Sequence, residues 1–122
     1  MKYAIFTLPV LLLTVGSAYA ETTIGRWCSK TIPNMPKYNQ IMEIVALDDG
    51  NVVLRSSFGD GSTKTDKLEE SAGNLYKKAG SGSGDKYRIV ASSGNLQLLD
   101  NDGLVRTAKK LENSPQKGEC SS

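Results

Sequence analysis

Short segments in which apolar and polar residues alternate follow one another along most of the chain. In NVVLRSSF, for example, Val52, Leu54 and Phe58 share one face, while Arg55 and Ser57 lie on the other. The segments DKYRIVA and GNLQLL show the same alternation. A period of two is typical of strands that bury one face. The pattern therefore predicts a series of half-buried β-strands.

Clusters of glycine with Asp, Asn or Ser separate these segments: DDGN, GDGS, SAGN, GSGSGD, SSGN and NDG. Such residues tolerate positive φ or hydrogen-bond to their own backbone, so they mark hairpin turns. We expect eight strands, at about residues 23–30, 39–47, 51–58, 62–69, 74–79, 86–91, 95–100 and 104–111. The segment KTDKLEES also fits a helical turn.

Consecutive hairpins favour an all-β fold, an antiparallel meander of about eight strands. Eight strands are enough to close into a small up-and-down barrel, which leaves no exposed sheet edge. The interior of such a barrel is either filled by its own side chains or hollow enough for one small ligand.

The first 20 residues have the features of an export signal. Lys2 precedes an apolar run, and Ala18 and Ala20 form an A-x-A cleavage pattern. The run is shorter than the roughly 20 residues that a membrane span needs. We expect cleavage after Ala20, no stable membrane insertion, and one domain over residues 21–122 in the periplasm or the medium.

Composition argues against several functional classes. The chain has no histidine, the commonest proton shuttle and metal ligand. Its 15 Lys and Arg nearly balance 13 Asp and Glu, and the two signs are interspersed, unlike a nucleic-acid-binding surface. The DNDG segment resembles a calcium loop, but Leu111 stands where an EF-hand needs Glu, and a hairpin turn explains Asp-Gly equally well. We expect a non-enzymatic binding protein without cofactor or metal.

Two cysteines, Cys28 and Cys120, lie near the two ends of the predicted domain. An even pair in an exported chain favours one disulfide. The first and last strands of a closed meander are neighbours, so this bond would lie at the closure seam. It would stabilise the domain by about 3–5 kcal/mol by restricting the unfolded chain.

The tripeptide GRW, Gly25 to Trp27, resembles the Gly-x-Trp that opens lipocalins. This resemblance implies a barrel that binds a small apolar ligand in its mouth near Trp27. In the alternative interpretation, Trp27 closes one end of a barrel that is filled by its own side chains.

The segment SGSGDKY, Ser81 to Tyr87, resembles the Ser-x-Ser-Gly-x-Arg/Lys-Tyr motif of the exported bacterial inhibitors of c-type lysozyme. The resemblance implies an eight-stranded barrel with an early cysteine bonded to a C-terminal one. It also implies that Ser83 lies on a loop that enters the lysozyme cleft near the catalytic carboxylates, and that Tyr87 is buried. The contact loop would consist of Ser81, Ser83, Gly84 and Lys86.

A second motif of that family, a Lys-Gly loop, supplies a cation to the cleft. This chain has Asp102-Gly103 at the comparable place, so either another cation such as Lys86 or Arg106 supplies the charge, or the target is not lysozyme. Two alternatives stay open. Gly80 to Asp85 also fits a flexible connector, since ordering five consecutive Gly and Ser residues is costly, and the protein also fits an accessory periplasmic role without a pocket.

Overall fold

The computed structural model describes residues 21–30 and 34–111. It contains a short 3₁₀ turn at Pro36–Tyr38 and eight strands, which are β1 (Glu21–Ser29), β2 (Gln40–Leu47), β3 (Val52–Phe58), β4 (Thr63–Glu70), β5 (Leu75–Lys78), β6 (Lys86–Ile89), β7 (Leu96–Asp100) and β8 (Gly103–Lys110). Within these ranges, no helix is long and apolar enough to cross a bilayer.

Each strand pairs antiparallel with the next, and β8 pairs with β1 to close the barrel. The predicted all-β fold and the closed eight-stranded meander are thus confirmed. The ambiguous segment KTDKLEES is a strand, β4, paired with β3 on one side and β5 on the other. The pairing with β3 covers Thr63 to Leu68 and the pairing with β5 covers Leu68 to Glu70, and Leu68 supplies the buried apolar contact.

The connections divide the barrel into two ends. We call the end formed by residues 34–39, 59–62, 79–85 and 101–102 the rim end. We call the end formed by residues 48–51, 71–74 and 90–95 the far end. Inward-facing side chains from every strand form the core between them, and its buried members are Trp27, Met42, Ile44, Leu54, Leu68, Tyr76, Tyr87, Leu96, Leu98 and Ala108. Burying one large side chain of this kind contributes about 1.5–3 kcal/mol.

Trp27 closes the barrel toward the far end. Its side chain is 2% exposed, and its indole N–H donates a 2.7 Å hydrogen bond to the carbonyl of Gly94, in the β6–β7 connection. The ring lies over Gly25, where a built Cβ would be only 2.6 Å from the ring atoms Cη2 and Cζ2. A side chain at position 25 would therefore occupy the space that the indole fills.

The seam between β1 and β8 joins the first strand of the barrel to the last. Among the described residues, only Trp27↔Lys110 and Cys28↔Lys109 are paired across it, and the Leu111 N–H extends the contact by donating to the Arg26 carbonyl. The first partner of the predicted disulfide thus lies at the seam. Residue 120 lies outside the described residues, as does the expected export signal, so both the disulfide and the signal stay predictions.

Candidate functional site

A cavity of about 300 Å³ opens at the rim end. Its apolar wall comes from the inward faces of β2, β3, β7 and β8, and it consists of Met42, Leu54, Phe58, Leu98, Leu99 and Val105. The barrel is thus filled by its own side chains toward the far end and hollow toward the rim end. The structure combines the two interiors that the sequence left as alternatives.

A polar network crosses one wall of this cavity. The Nε of Arg106 donates to Ser29 Oγ at 2.6 Å, and its Nη2 donates to Gln40 Oε1 at 3.2 Å. The Gln40 amide in turn donates to Ser56 Oγ at 3.0 Å. Both serines are buried. The guanidinium is therefore held in a fixed orientation at the cavity by neutral oxygens.

Four further charged side chains line the cavity. The Asp66 carboxylate lies 3.6 Å from Lys64 Nζ and 3.8 Å from Lys78 Nζ. Lys78 Nζ is also 4.0 Å from a carboxylate oxygen of Asp85. With Arg106, the cavity lining carries three cations and two carboxylates. Both carboxylates are already next to lysines.

Tyr87 forms the inner wall beside these groups. It is 8% exposed, as the inhibitor motif implies, and it pairs with Tyr76 on β5 and Leu98 on β7. Burial raises the pKa of Tyr87 to about 12, and the negative charges of Asp85 and Asp66 contribute to the rise. The phenol therefore stays neutral at physiological pH.

The β5–β6 connection, residues 79–85, is tied by hydrogen bonds to itself and to the adjacent turn. The Asp85 N–H donates to Ser81 Oγ at 3.2 Å, and Ser83 Oγ donates to the Asp85 carboxylate at 2.9 Å. The N–H of Asn101, in the β7–β8 turn, donates to the Ser83 carbonyl at 3.1 Å. We call this segment the rim loop. It has a defined conformation, because its flanks and its middle are all bonded.

Gly84 is required at its position in the rim loop. Its φ is +72°, a left-handed conformation that side chains rarely adopt. A built Cβ would also lie 2.6 Å from Asn101 Cγ. A side chain at residue 84 would therefore be strained by the positive φ and would also require the exposed Asn101 side chain to move.

The predicted contact residues occupy neighbouring positions. Ser83 is exposed, Ser81 and Gly84 are half-buried, and all three lie in the rim loop. Lys86 begins β6 on the outer face of the barrel, directly opposite Lys77 of β5. Asp102 is exposed in the turn that packs against the rim loop, where its N–H donates to Asp100.

Two other predicted site residues lie elsewhere. Trp27 is not among the residues that line the cavity, because its ring is packed toward the far end. Arg106, one of the two cations that the sequence offered for a partner's cleft, points into the barrel toward Ser29 and Gln40. Lys86 is therefore the one of these two cations that lies on the outer surface beside the rim loop.

Sequence analysis did not find the polar network of the cavity. Its members come from four different strands, β1, β2, β3 and β8, and Arg106 is 77 residues from Ser29 and 66 from Gln40. A signal was present nonetheless. Ser56 stands on the apolar face of β3, and Arg106 shares a face with Ala108, so polar groups fall at positions that point inward.

Comparisons with protein-family models, with curated proteins and with solved structures found no match to this chain.

Proposed function

We propose that this chain is an exported, non-enzymatic binding protein that inserts its rim loop into the cleft of a partner protein, a lysozyme or a related cell-wall hydrolase, and inhibits it. The observation that carries the proposal is the presentation of Ser83, an exposed hydroxyl on a loop whose conformation is fixed by hydrogen bonds. The likeness of SGSGDKY to the motif of the c-type lysozyme inhibitors supports the choice of target.

The hydroxyl of Ser83 is suited to accept a hydrogen bond. A serine has one proton to donate and two acceptor lone pairs. In the rim loop, that proton goes to the Asp85 carboxylate. Ser81 must then be the donor in its 3.3 Å contact with Ser83 Oγ. One lone pair of Ser83 is left for a donor on the partner.

Cell-wall hydrolases of the lysozyme type supply such a donor. They use two carboxyl groups, of which one has a raised pKa and is protonated as the general acid. We expect this protonated carboxyl to donate to Ser83 Oγ. Occupation of the cleft by the rim loop then excludes the substrate from the bond-cleaving residues.

Order in the free rim loop makes such binding less costly. Fixing the backbone of a free residue costs about 1–2 kcal/mol, so a Gly/Ser segment without internal bonds would lose much of its binding free energy. The bonds from Asp85 to Ser81, from Ser83 to Asp85 and from Asn101 to Ser83 are already formed. Preorganisation of this kind raises affinity without adding contacts.

Lys86 would supply the positive charge for the approach to an acidic cleft. It lies directly opposite Lys77 on the outer face, and like charges in that arrangement are destabilising. An acidic partner relieves this repulsion, whereas the negative charge of Asp102 in the adjacent turn repels such a partner. We therefore expect the association rate to fall when salt is added and when Lys86 is replaced by Gln.

The test uses the purified domain from residue 21 to residue 122 and a c-type lysozyme, with cell-wall lysis as the readout. We expect inhibition by the unaltered domain, and about tenfold weaker inhibition by Ser83→Ala, since loss of one such hydrogen bond costs about 1–1.5 kcal/mol. The control is Ser92→Ala, an exposed serine at the far end, which should inhibit normally. Absence of both inhibition and binding with every lysozyme tested would refute the proposal.

We also propose that the mature chain begins after Ala20 and that a Cys28–Cys120 disulfide fastens the seam of the barrel. Support comes from the export signal in the sequence and from the place of Cys28 beside β8. Mass spectrometry of the protein from the periplasm or the medium, before and after reduction, checks both points. An unprocessed N-terminus would contradict the first point, and two free thiols would contradict the second.

A further inference from the structure

The guanidinium of Arg106 presents N–H donors to the cavity that no carboxylate of the described residues accepts. A guanidinium has five N–H donors, and the two that are bonded here go to the neutral oxygens of Ser29 and Gln40. Among the described residues, no carboxylate lies within 4.0 Å of it, whereas Asp66 and Asp85 lie next to lysines. A partly buried charge is costly unless it is paired. The remaining donors of Arg106 are therefore suited to a bound anion.

The fixed orientation of the guanidinium favours a planar anion. Its fork of N–H groups matches the two oxygens of a carboxylate, and the bonds to Ser29 and Gln40 hold the fork in place. The three cations and two carboxylates of the lining leave one net positive charge, which a monocarboxylate neutralises and a phosphate with two negative charges exceeds.

The rest of the cavity favours an apolar body on this anion. Phe58, Leu98 and Val105 line it together with Met42 and Leu54. Its volume of about 300 Å³ is at the lower limit of small-molecule sites, which span about 300–1,000 Å³. The occupant should therefore be a single short aliphatic chain or one aromatic ring.

Access to the cavity lies at the beginning of β8. The β7–β8 pairing shifts register between Leu98 and Leu99, and this irregularity leaves Val105 both in the cavity wall and 53% exposed. The preceding residue, Leu104, is 56% exposed and is not part of the wall. Val105 thus stands at the opening, and Leu104 stands outside it.

We propose that the rim-end cavity binds a small monocarboxylate with an apolar body, whose carboxylate pairs with Arg106 while its body contacts Phe58, Leu98 and Val105. This site differs from a mouth near Trp27, and its ligand is anionic rather than purely apolar. It does not depend on inhibition of a hydrolase.

The first experiment is a calorimetric titration of the purified domain at pH 7 with octanoate, 1-octanol and octylamine, which share one chain and differ in charge. We expect saturable one-to-one binding of octanoate, at least about tenfold weaker binding of octanol, because a hydrogen bond to a charged group is lost, and no binding of octylamine. Equal affinity for octanoate and octanol would overturn the role of Arg106. No binding of octanoate would overturn the site altogether.

The second experiment locates the site with matched variants. Val105→Trp places a large ring at the opening and should abolish octanoate binding, whereas Leu104→Trp should leave it unchanged. Arg106→Gln should weaken octanoate at least about tenfold and leave octanol unaffected. If the Arg106 variant does not fold, the tryptophan pair still decides the place of the site, because both positions are exposed. Unchanged octanoate binding in Val105→Trp would overturn the proposal.

Ser83→Ala separates this proposal from the proposed inhibition. Ser83 does not line the cavity, so we expect this variant to bind octanoate normally while it loses inhibition. Because Ser83 Oγ donates to Asp85, which lines the cavity, a small change in octanoate affinity is compatible with the proposal, whereas complete loss of octanoate binding in Ser83→Ala would contradict it.

Discussion

Replacing Gly25 by alanine tests how the far end of the barrel is closed. The new Cβ would lie 2.6 Å from two ring carbons of Trp27, well inside van der Waals contact. The ring cannot move away freely, because it is 2% exposed and its N–H is bonded to the Gly94 carbonyl. Either the indole or the β1 backbone must shift.

The expected loss of stability is about 2 kcal/mol, within a range of roughly 0.5–4 kcal/mol. Overpacking a filled core costs about 1–3 kcal/mol, and a displaced indole hydrogen bond costs about 0.5–1.5 kcal/mol more. Alanine restores about 0.4–1 kcal/mol by restricting the unfolded chain, since the φ of Gly25 is not in the positive range. For a domain of this size, each kcal/mol lowers Tm by about 4–8 °C.

Urea unfolding followed by tryptophan fluorescence measures this loss directly, because the chain has one tryptophan. The matched control is Gly82→Ala in the rim loop. Its φ is not positive, and no atom lies within 4 Å of the built Cβ, so it should be neutral or slightly stabilising. The emission of folded Gly25→Ala should also differ from that of the unaltered protein. If the free energies of unfolding of Gly25→Ala and Gly82→Ala differ by less than about 0.5 kcal/mol, Trp27 does not close the far end as described.

Three further predictions concern the rim loop, the cavity wall and the seam. Gly84→Ala should lose about 1–3 kcal/mol and weaken inhibition, because it forces an alanine into positive φ against Asn101; a stability equal to that of Gly82→Ala would contradict this. The pKa of Tyr87 is raised to about 12 in the folded protein, so the phenol of the unfolded chain loses its proton at lower pH. Between pH 10 and 12, the free energy of unfolding of the unaltered protein should therefore fall more steeply than that of Tyr87→Phe, by up to about 1.4 kcal/mol per pH unit. If the urea midpoints of the unaltered protein and of Tyr87→Phe change equally over this pH range, the phenol of Tyr87 is not buried as described. Reduction should lower the free energy of unfolding by about 3–5 kcal/mol, and insensitivity to reductant would exclude the Cys28–Cys120 bond.

Much of the fold could be predicted because each strand carries its own signal. The alternation in NVVLRSSF assigns Leu54 to the inner face, and Leu54 is buried. Glycine with Asp or Asn marks the hairpin turns, and Gly50, Gly61 and Gly94 all have positive φ. Both signals are local, so one sequence suffices to read them.

The site was less predictable because its geometry depends on the closed barrel. Nothing near Arg106 in the sequence indicates that Ser29 and Gln40 are its partners, since closure of β8 on β1 brings them together. The sequence alone fits KTDKLEES to either a strand or a helical turn for the same reason. Its strand state comes from pairing with β3 and β5 rather than from a strong apolar alternation, since Leu68 is its one fully buried residue.

Closure of β8 on β1 also determines how well the barrel avoids aggregation. Eight residue pairs join β1 to β2, whereas two pairs among the described residues join β1 to β8, and those two link distant parts of the chain. Ring closure over such a separation costs chain entropy, and a Cys28–Cys120 disulfide at this seam would reduce that cost. Opening exposes two strand edges, which are templates for pairing with other chains. Lys109 and Lys110 lie on one of these edges, and lysine is the residue that most commonly protects an edge from such pairing.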